Sequence, residues 1–173
     1  MTMKKTIIIL SVFVLIAGCW DARWTEKQKE EFAEKCSKTD TVGGLTFFLT
    51  GFSYDEIKNV MVKQIHNGQT VDSFYVQPDK KIDDSLRTRY LAYINKPLYI
   101  KDTFLFIIQG QEPFILSDMK MIMRAQFTMF SEGYGCEMGD YKINGVRFED
   151  CNPDFMKKGF KFPWENNTRM DEK

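Results

Sequence analysis

The chain contains a single histidine, His66, the side chain best suited to proton transfer near neutral pH. It stands beside Asn67-Gly68, a dipeptide typical of a tight turn. A serine hydrolase of the elbow type would carry its nucleophile in a Gly-x-Ser-x-Gly motif, which does not occur. A zinc site rich in histidine is also excluded by this count. We therefore interpret His66 as the exposed histidine of a turn.

Carboxylates offer a second kind of chemistry, because two of them at a set separation can hydrolyse a glycosidic bond. The candidates lie at predicted turns or strand ends: Asp118, Glu137, Asp140, Asp150 and Asp154. None stands out, since acidic residues are common at such positions for capping and solubility. The segment 149–154 also carries oxygen ligands suited to calcium, but without the spacing of an EF-hand loop. A carboxylate-dependent hydrolase of glycans or peptides is one alternative function.

Methionines recur at every second position from 119 to 123. Thioethers are ligands for Cu(I), so copper handling through Met119, Met121 and Met123 is another alternative. On a strand, however, side chains of one face are ~6.6 Å apart and would have to bend inward to share an ion. Methionine is also a common filler of hydrophobic cores. Core packing is therefore the preferred interpretation, and no cofactor or metal is expected.

The segment around these methionines predicts a strand. From Met119 to Phe130 the odd positions are apolar and the even positions mostly polar, the period of a strand with one buried face. The helix propensity of Met, Lys, Ala and Gln favours a helix as the competing structure. Further strands are predicted at 45–50, 57–65, 69–76, 88–94, 98–100 and 103–108. The last of these is almost continuously apolar and is the candidate for a central strand.

Two Asn-Gly dipeptides predict hairpins. At Asn67-Gly68, a two-residue turn would place Lys63 opposite Asp72 and Met61 opposite Phe74, so that opposite charges and apolar groups meet. This agreement supports the predicted register.

The second hairpin, at Asn144-Gly145, lies between Cys136 and Cys151, which we predict to form a disulfide in an oxidising compartment. A two-residue turn would leave the two cysteines diagonal, ~7–8 Å apart and beyond disulfide reach. A four-residue loop over 142–145 would bring them opposite each other. Cys36 would then be a buried thiol or the second choice of partner.

The remaining predicted elements lie near the two ends of the globular domain. Thr25 and Gln28 form a capping box that predicts a short helix to about Cys36. Residues 152–154 predict a second helix start, ended by Gly159. The aromatic residues that follow could close a core edge or form a binding surface: Phe160, Phe162 and Trp164. Many short strands without βαβ alternation predict an all-β fold, mainly an antiparallel β-sandwich or open barrel, with a short N-terminal helix.

The first 19 residues carry a targeting signal. Lys4 and Lys5 precede an apolar run that is too short to span a bilayer and ends in Leu15-Ile16-Ala17-Gly18-Cys19. This pattern resembles the lipobox of bacterial lipoproteins. The resemblance implies cleavage before Cys19, attachment of acyl chains such as palmitate to that cysteine, and a body held on the extracytoplasmic side of a membrane.

Domain boundaries follow from this signal. We predict a signal peptide at 1–18, a lipid-anchored tether at 19–24, one globular β-rich domain at 25–164 and a frayed polar tail at 165–173. Loss of the two signal lysines from 24 basic and 24 acidic residues leaves a net charge of about −2. No basic face suited to nucleic acid is present in the sequence.

The sequence therefore predicts a membrane-anchored envelope lipoprotein that acts as a binding or scaffolding module without enzymatic activity. Its expected partners are the membrane, through lipid on Cys19, and an envelope protein or glycan. The body is similar in style to uncharacterised small envelope lipoproteins, a likeness that implies no activity. In this setting the hydrolase alternative would act on envelope glycans or peptides.

Overall fold

The computed structural model describes residues 24–79, 88–127 and 132–162. The lipobox with Cys19, the signal peptide, Trp164 and the predicted tail lie outside these residues, so predictions on them stay predictions.

Two helices and eleven strands are formed within the described residues. The helices are α1 (Glu26–Ser37) and α2 (Tyr54–Ile57), and the strands are β1 (Thr41–Val42), β2 (Leu45–Thr50), β3 (Val60–His66), β4 (Gln69–Val76), β5 (Arg89–Ile94), β6 (Leu98–Tyr99), β7 (Thr103–Ile107), β8 (Phe114–Phe127), β9 (Glu132–Ile143), β10 (Val146–Phe148) and β11 (Asp154–Met156). The strand predicted from Met119 to Phe130 is confirmed up to Phe127 as part of β8, and the competing helix is wrong there. Residues 128–130 lie outside the described residues.

The strands form sheets that are mainly antiparallel, and the predicted all-β class with an N-terminal helix is confirmed. One sheet has the order β10-β9-β8-β7-β3-β4, the second has the order β11-β2-β5, and β1 pairs with β6. Strand β7 lies inside the first sheet, as predicted, with Phe104 and Phe106 fully buried.

The core of the sandwich is aromatic. Phe47 of β2 contacts Phe106 of β7 at 5.0 Å between ring centroids, and Phe155 of β11 contacts Phe106 at 4.4 Å and Phe114 at 5.4 Å. Phe47, Phe106 and Phe155 are fully buried. Each such side chain contributes about 1.5–3 kcal/mol relative to an exposed one, so these contacts hold the two sheets together.

Strand β11 replaces the helix predicted after Pro153, and that prediction is wrong. Asp154, Phe155 and Met156 pair in parallel with Phe48, Leu49 and Thr50 of β2. The helix signal was only a local one, whereas the extended segment buries Phe155 completely and gives its backbone a strand partner.

The chain divides into two compact units, which we describe separately. The first comprises the described parts of Met1–Lys38 and Ile122–Glu137. The second, the body, comprises the described parts of Thr39–Met121 and Met138–Lys173.

The first unit contains α1. Its predicted capping box is confirmed, since the Gln28 backbone N–H donates to Thr25 Oγ1 at 3.3 Å and the Thr25 N–H donates to Gln28 Oε1 at 2.8 Å. Trp24 packs edge-on against Phe32 and Tyr134. Trp24 thus links Phe32 of α1 to Tyr134 of β9.

The disulfide of the first unit joins Cys36 to Cys136, with 5.2 Å between the Cα atoms. The prediction that Cys136 pairs with Cys151 is therefore wrong. The Asn144-Gly145 turn has two residues, with Val146 opposite Ile143, and β10 ends at Phe148 before it could carry Cys151 alongside Cys136. Cys151 keeps its thiol.

The first hairpin also departs from its predicted register. Asn67 and Gly68 have φ values of 48° and 78°, as a type I′ turn requires, and His66 pairs with Gln69 as predicted. A bulge between Gln64 and Ile65 leaves Val71 as the extra residue on β4. Beyond the bulge each partner is shifted by one, because a bulge sets two residues of one strand against one of the other.

The charge pair predicted for this hairpin changes with the register. Lys63 lies opposite Ser73, and Met61 lies opposite Tyr75. Asp72 instead forms an ion pair with Lys96.

Candidate functional site

Among the cavities formed by the described residues of the body, two are lined by a carboxylate together with other polar or charged side chains. The first, which we name the basic cavity, has a volume of about 450 Å³. It is lined by Ile100, Lys101, Asp118, Met119, Lys120, Asp140, Lys142 and Arg147. The second, the histidine cavity, has a volume of about 390 Å³ and is lined by Gln64, His66, Val71, Tyr99 and Asp102.

Three neighbouring strands position all the charges of the basic cavity except Lys101, which lies between β6 and β7. Lys120 lies on β8, Asp140 and Lys142 lie on β9, and Arg147 lies on β10 directly opposite Lys142. The tight turn between β9 and β10 keeps Arg147 beside Asp140 because residues opposite and diagonal across a hairpin are within reach of long side chains.

A local irregularity of β8 brings Asp118 to the same cavity. Asp118 has a φ of 52°, the left-handed region that Asp tolerates better than most residues. Leu116 and Met119 are both buried, so the alternation of faces shifts by one residue here. The exposed Asp118 carboxylate then pairs with Lys142 Nζ at 2.7 Å.

Asp140 is the most tightly held acid of the basic cavity. Arg147 donates from Nε to Oδ1 at 2.9 Å and from Nη2 to Oδ2 at 2.7 Å, and Lys120 Nζ lies 3.4 Å from Oδ2. The hydrogen bonds from Arg147, assisted by Lys120, hold the pKa of Asp140 below its usual value, against the opposing effect of burial. Asp140 is therefore ionised at neutral pH.

This geometry disfavours hydrolysis at the basic cavity. A glycosidase of the two-carboxylate type needs one carboxylic acid that keeps its proton until the transition state. Asp140 is held as an anion, and Asp118 is exposed and paired with a lysine. The two carboxylates instead form ion pairs that hold the surrounding cations in place.

The lining of the basic cavity carries more cations than carboxylates. Its lining has four cations and two carboxylates, above the buried apolar residues Ile100 and Met119. Asp40 and Glu149, which lie outside the lining, pair with Lys101 and Arg147. Lys101 and Lys120 are 74% and 66% exposed along their side chains, so they can turn from their ion pairs toward a ligand at little cost in packing. An anionic group of a ligand is the chemistry that this lining suits.

The histidine cavity is built around a buried carboxylate. The side chain of Asp102 is only 1% exposed. Gln64 Nε2 donates to its Oδ2 at 2.5 Å, and His66 Nδ1 lies at hydrogen-bond distance from its Oδ1, at 2.6 Å. Both oxygens of the carboxylate are thus engaged, and the imidazole ring is fixed in orientation.

Strand pairing explains why these three side chains meet. Gln64 and His66 are two residues apart on β3 and so share a face of the strand. Strand β7 pairs with β3 up to Thr103 opposite Ile65, and one more step of that register places Asp102 opposite His66. The bulge beside Gln64 makes Val71 the extra residue of β4, and Val71 is exposed in the wall of the cavity.

Sequence reasoning missed this cluster. The side chain of His66 is 54% exposed, in line with a turn histidine, but its link to Asp102 was not predicted. The signal available was the position of Asp102 immediately before an apolar strand. Recognising it required knowing that β7 would pair with β3.

The other predicted acids are dispersed. Glu137, in the first unit, accepts a hydrogen bond from Gln126. Asp150 accepts one from the backbone N–H of Cys151, and Asp154 accepts one from Thr50 Oγ1 at 2.6 Å. In the described part of the chain, histidine, cysteine and acidic side chains do not gather in groups of three or more that would hold a metal ion. The suggested calcium segment thus gains no support.

The methionine stripe and two of the C-terminal aromatic residues, Phe160 and Phe162, make packing contacts. Met119 and Met121 are buried, and Met123 is half-buried. The rings of Phe160 and Phe162 pack edge to face, with 5.1 Å between their centroids. Gly51, with a φ of 82°, leaves room for the Phe160 ring, since a Cβ there would lie 2.4 Å from that ring. Phe160 therefore closes an edge of the body.

Comparison of the chain with models of protein families, with curated proteins and with solved structures found no match. Across the residues that the structure describes, no helix has the length and apolar character needed to cross a membrane.

Proposed function

We propose that this protein is a lipid-anchored module of the bacterial envelope that binds an anionic ligand, such as an envelope glycan bearing phosphate or carboxylate groups, in the basic cavity. The observation that carries this proposal is the convergence of four cationic side chains on one cavity of the body. The anchoring part rests on the lipobox resemblance at residues 15–19.

The basic cavity has the size and composition of a ligand site. Its volume of about 450 Å³ lies within the range of roughly 300–1,000 Å³ that is typical of small-molecule sites. Arg147 is held in place by Asp140 and Glu149, and a preordered guanidinium suits the planar recognition of carboxylate or phosphate. The buried Ile100 and Met119 would contact the apolar part of a ligand.

The proposal is tested first by binding. The probe is a phosphorylated oligosaccharide, compared with its neutral counterpart by isothermal titration calorimetry. In the double variant Lys101→Gln, Lys120→Gln we expect affinity for the phosphorylated probe to fall by about tenfold or more, because charge-assisted hydrogen bonds contribute most of the affinity for such groups.

A matched control is Lys27→Gln with Lys158→Gln. These two lysines are exposed and each lies near one glutamate, so the control makes the same change in net charge outside the cavity. Its affinity should stay close to that of the parent. An equal loss in both double variants, or no loss in the cavity variant, would overturn the assignment of the basic cavity.

Anchoring is tested by Cys19→Ala in the full-length chain. We expect the variant to be released from the membrane fraction or to accumulate as an uncleaved precursor, because the attachment site for lipid is lost. A processed variant that stays with the membrane would contradict the lipoprotein assignment, without affecting the binding result.

A further inference from the structure

The histidine cavity has no role in the proposed binding function, yet its polar groups are ordered in a particular way. An ionised carboxylate has no proton to donate and can only accept hydrogen bonds. Opposite an ionised Asp102, the proton shared with His66 therefore lies on Nδ1. A neutral imidazole that carries its proton on Nδ1 leaves the lone pair on Nε2. Asp102 thereby sets the tautomer that can act as a nucleophile.

Nε2 is the ring nitrogen left for a ligand. The ring lines the cavity and the side chain is 54% exposed. Among the described residues, the one polar contact of the His66 side chain is that of Nδ1 with Asp102.

The same cavity has surface for the organic part of a substrate. Val71 and Tyr99 are 56% and 57% exposed and stand in its walls. An aliphatic side chain and an aromatic ring would contact an acyl or aryl group, while Gln64 and Asp102 provide the polar interior. The combination suits small esters with an apolar portion.

We propose that His66 is a catalytic residue that hydrolyses small activated acyl esters through Nε2, with Asp102 as its positioning residue and Gln64 holding Asp102. This adds an acyl-transfer activity to a chain whose preferred function from sequence has no enzymatic activity.

The chemistry balances with water as the co-reactant. The Nε2 lone pair attacks the carbonyl carbon, and the bond to the leaving oxygen breaks with its electron pair on the phenolate or alkoxide. The ring becomes an acyl-imidazolium whose positive charge develops beside the Asp102 carboxylate. Water then adds to the acyl carbon, the C–N bond breaks with its electron pair returning to Nε2, and a carboxylate leaves while the two protons of the water pass to solvent or leaving group.

The test uses 4-nitrophenyl acetate and the purified full-length chain carrying Cys151→Ser, which removes a competing thiol. His66→Asn keeps an N–H near the position of Nδ1 and so retains a donor to Asp102, but it lacks Nε2. We expect its rate of nitrophenolate release to fall by about tenfold or more, to the background of the remaining side chains. Asp102→Asn should also reduce the rate strongly, because an amide can donate to Nδ1 and move the ring proton to Nε2.

A second measurement does not depend on the folding of any variant. Diethyl pyrocarbonate acylates histidine, and this chain has only one. Modification of His66, verified by mass spectrometry, should abolish the rate above background, and hydroxylamine should restore it. An unchanged rate after complete modification, or in a folded His66→Asn or Asp102→Asn variant, would overturn the proposal. Each of these outcomes is independent of binding at the basic cavity.

Discussion

The two cavities of the body each contain a buried aspartate, and the partners of the two carboxylates are opposite in kind. Asp140 receives two hydrogen bonds from Arg147, a permanent cation. Asp102 receives its bonds from an amide, Gln64, and from the imidazole of His66. The first carboxylate is neutralised by its partner and keeps that cation in place, whereas the second sets which nitrogen of a ring holds a proton. The role of a buried carboxylate is thus decided by the groups that donate to it.

The two aspartates also differ in how far along the chain each one lies from its partner. Asp140 and Arg147 are seven residues apart and are joined by one tight hairpin. Asp102 and His66 are 36 residues apart and meet only because β7 pairs with β3. The Asp140–Arg147 pair is thus made by local structure, and the Asp102–His66 pair by long-range strand pairing.

Removal of the disulfide should have the largest effect on the unfolding free energy. The same variant tests whether the two cavities function independently of that stability. Cys36 and Cys136 are 100 residues apart. The double variant Cys36→Ala, Cys136→Ala should lose about 2–4 kcal/mol of unfolding free energy in urea, because a long loop in the unfolded chain is no longer closed. Both cavities lie in the body, so oligosaccharide affinity and ester hydrolysis should persist. Loss of both properties in a folded variant would show that the cavities depend on the first unit.

The matched variant Cys151→Ser should keep the parent's stability to within about 0.5 kcal/mol, since the disulfide remains. An equal loss in this control would contradict the pairing of Cys36 with Cys136.

Truncation of the two aspartates should have unequal costs. Asp102→Ala leaves the buried Gln64 amide without its acceptor and should lower the unfolding free energy by about 2–3 kcal/mol. Asp140→Ala leaves Arg147, whose side chain is 58% exposed, to be solvated by water, and should cost about 1 kcal/mol. Urea denaturation measures both. Equal costs would remove the distinction drawn between the two carboxylates.

The smallest effect expected is a change in acid stability at Asp140. Its pKa is lower in the folded chain than its ordinary value of 3.8, mainly because of the bonds from Arg147. The ionised form therefore stabilises the fold fully above that ordinary value, and the contribution is lost as the pH falls through the lowered pKa. The stability difference between the parent and Asp140→Asn should be largest near neutral pH and shrink below about pH 4. A difference that grows on acidification would contradict the ion pair.

Predictions from sequence succeeded where the deciding interactions are local. The capping box at Thr25, the Asn67-Gly68 and Asn144-Gly145 turns and the period-two pattern after Met119 each depend on neighbours a few residues away. The predicted helix after Pro153 failed for the complementary reason. Its start signal was local, but the burial of Phe155 against the other sheet outweighed it.

The candidate sites show the same division. The candidate acids Asp118 and Asp140 were identified from the sequence, but their ion pairs with Lys142 and Arg147 were not. His66 was correctly expected to be an exposed histidine at a turn, while its buried partner Asp102 was not predicted. Side-chain partners on other strands depend on register, and a single bulge beside Gln64 was enough to shift the predicted one.

The sequence by itself determined the all-β class, the N-terminal helix and the positions of the tight turns, because alternation, capping and Asn-Gly geometry act over a few residues. The tertiary structure decided which cysteine pairs with Cys136, which residues lie opposite each other beyond the bulge and which carboxylate holds His66. The disulfide and the contact between His66 and Asp102 join residues that are 36 or more positions apart along the chain. They are set by sheet order and by burial of the shared core, which no short stretch of sequence encodes.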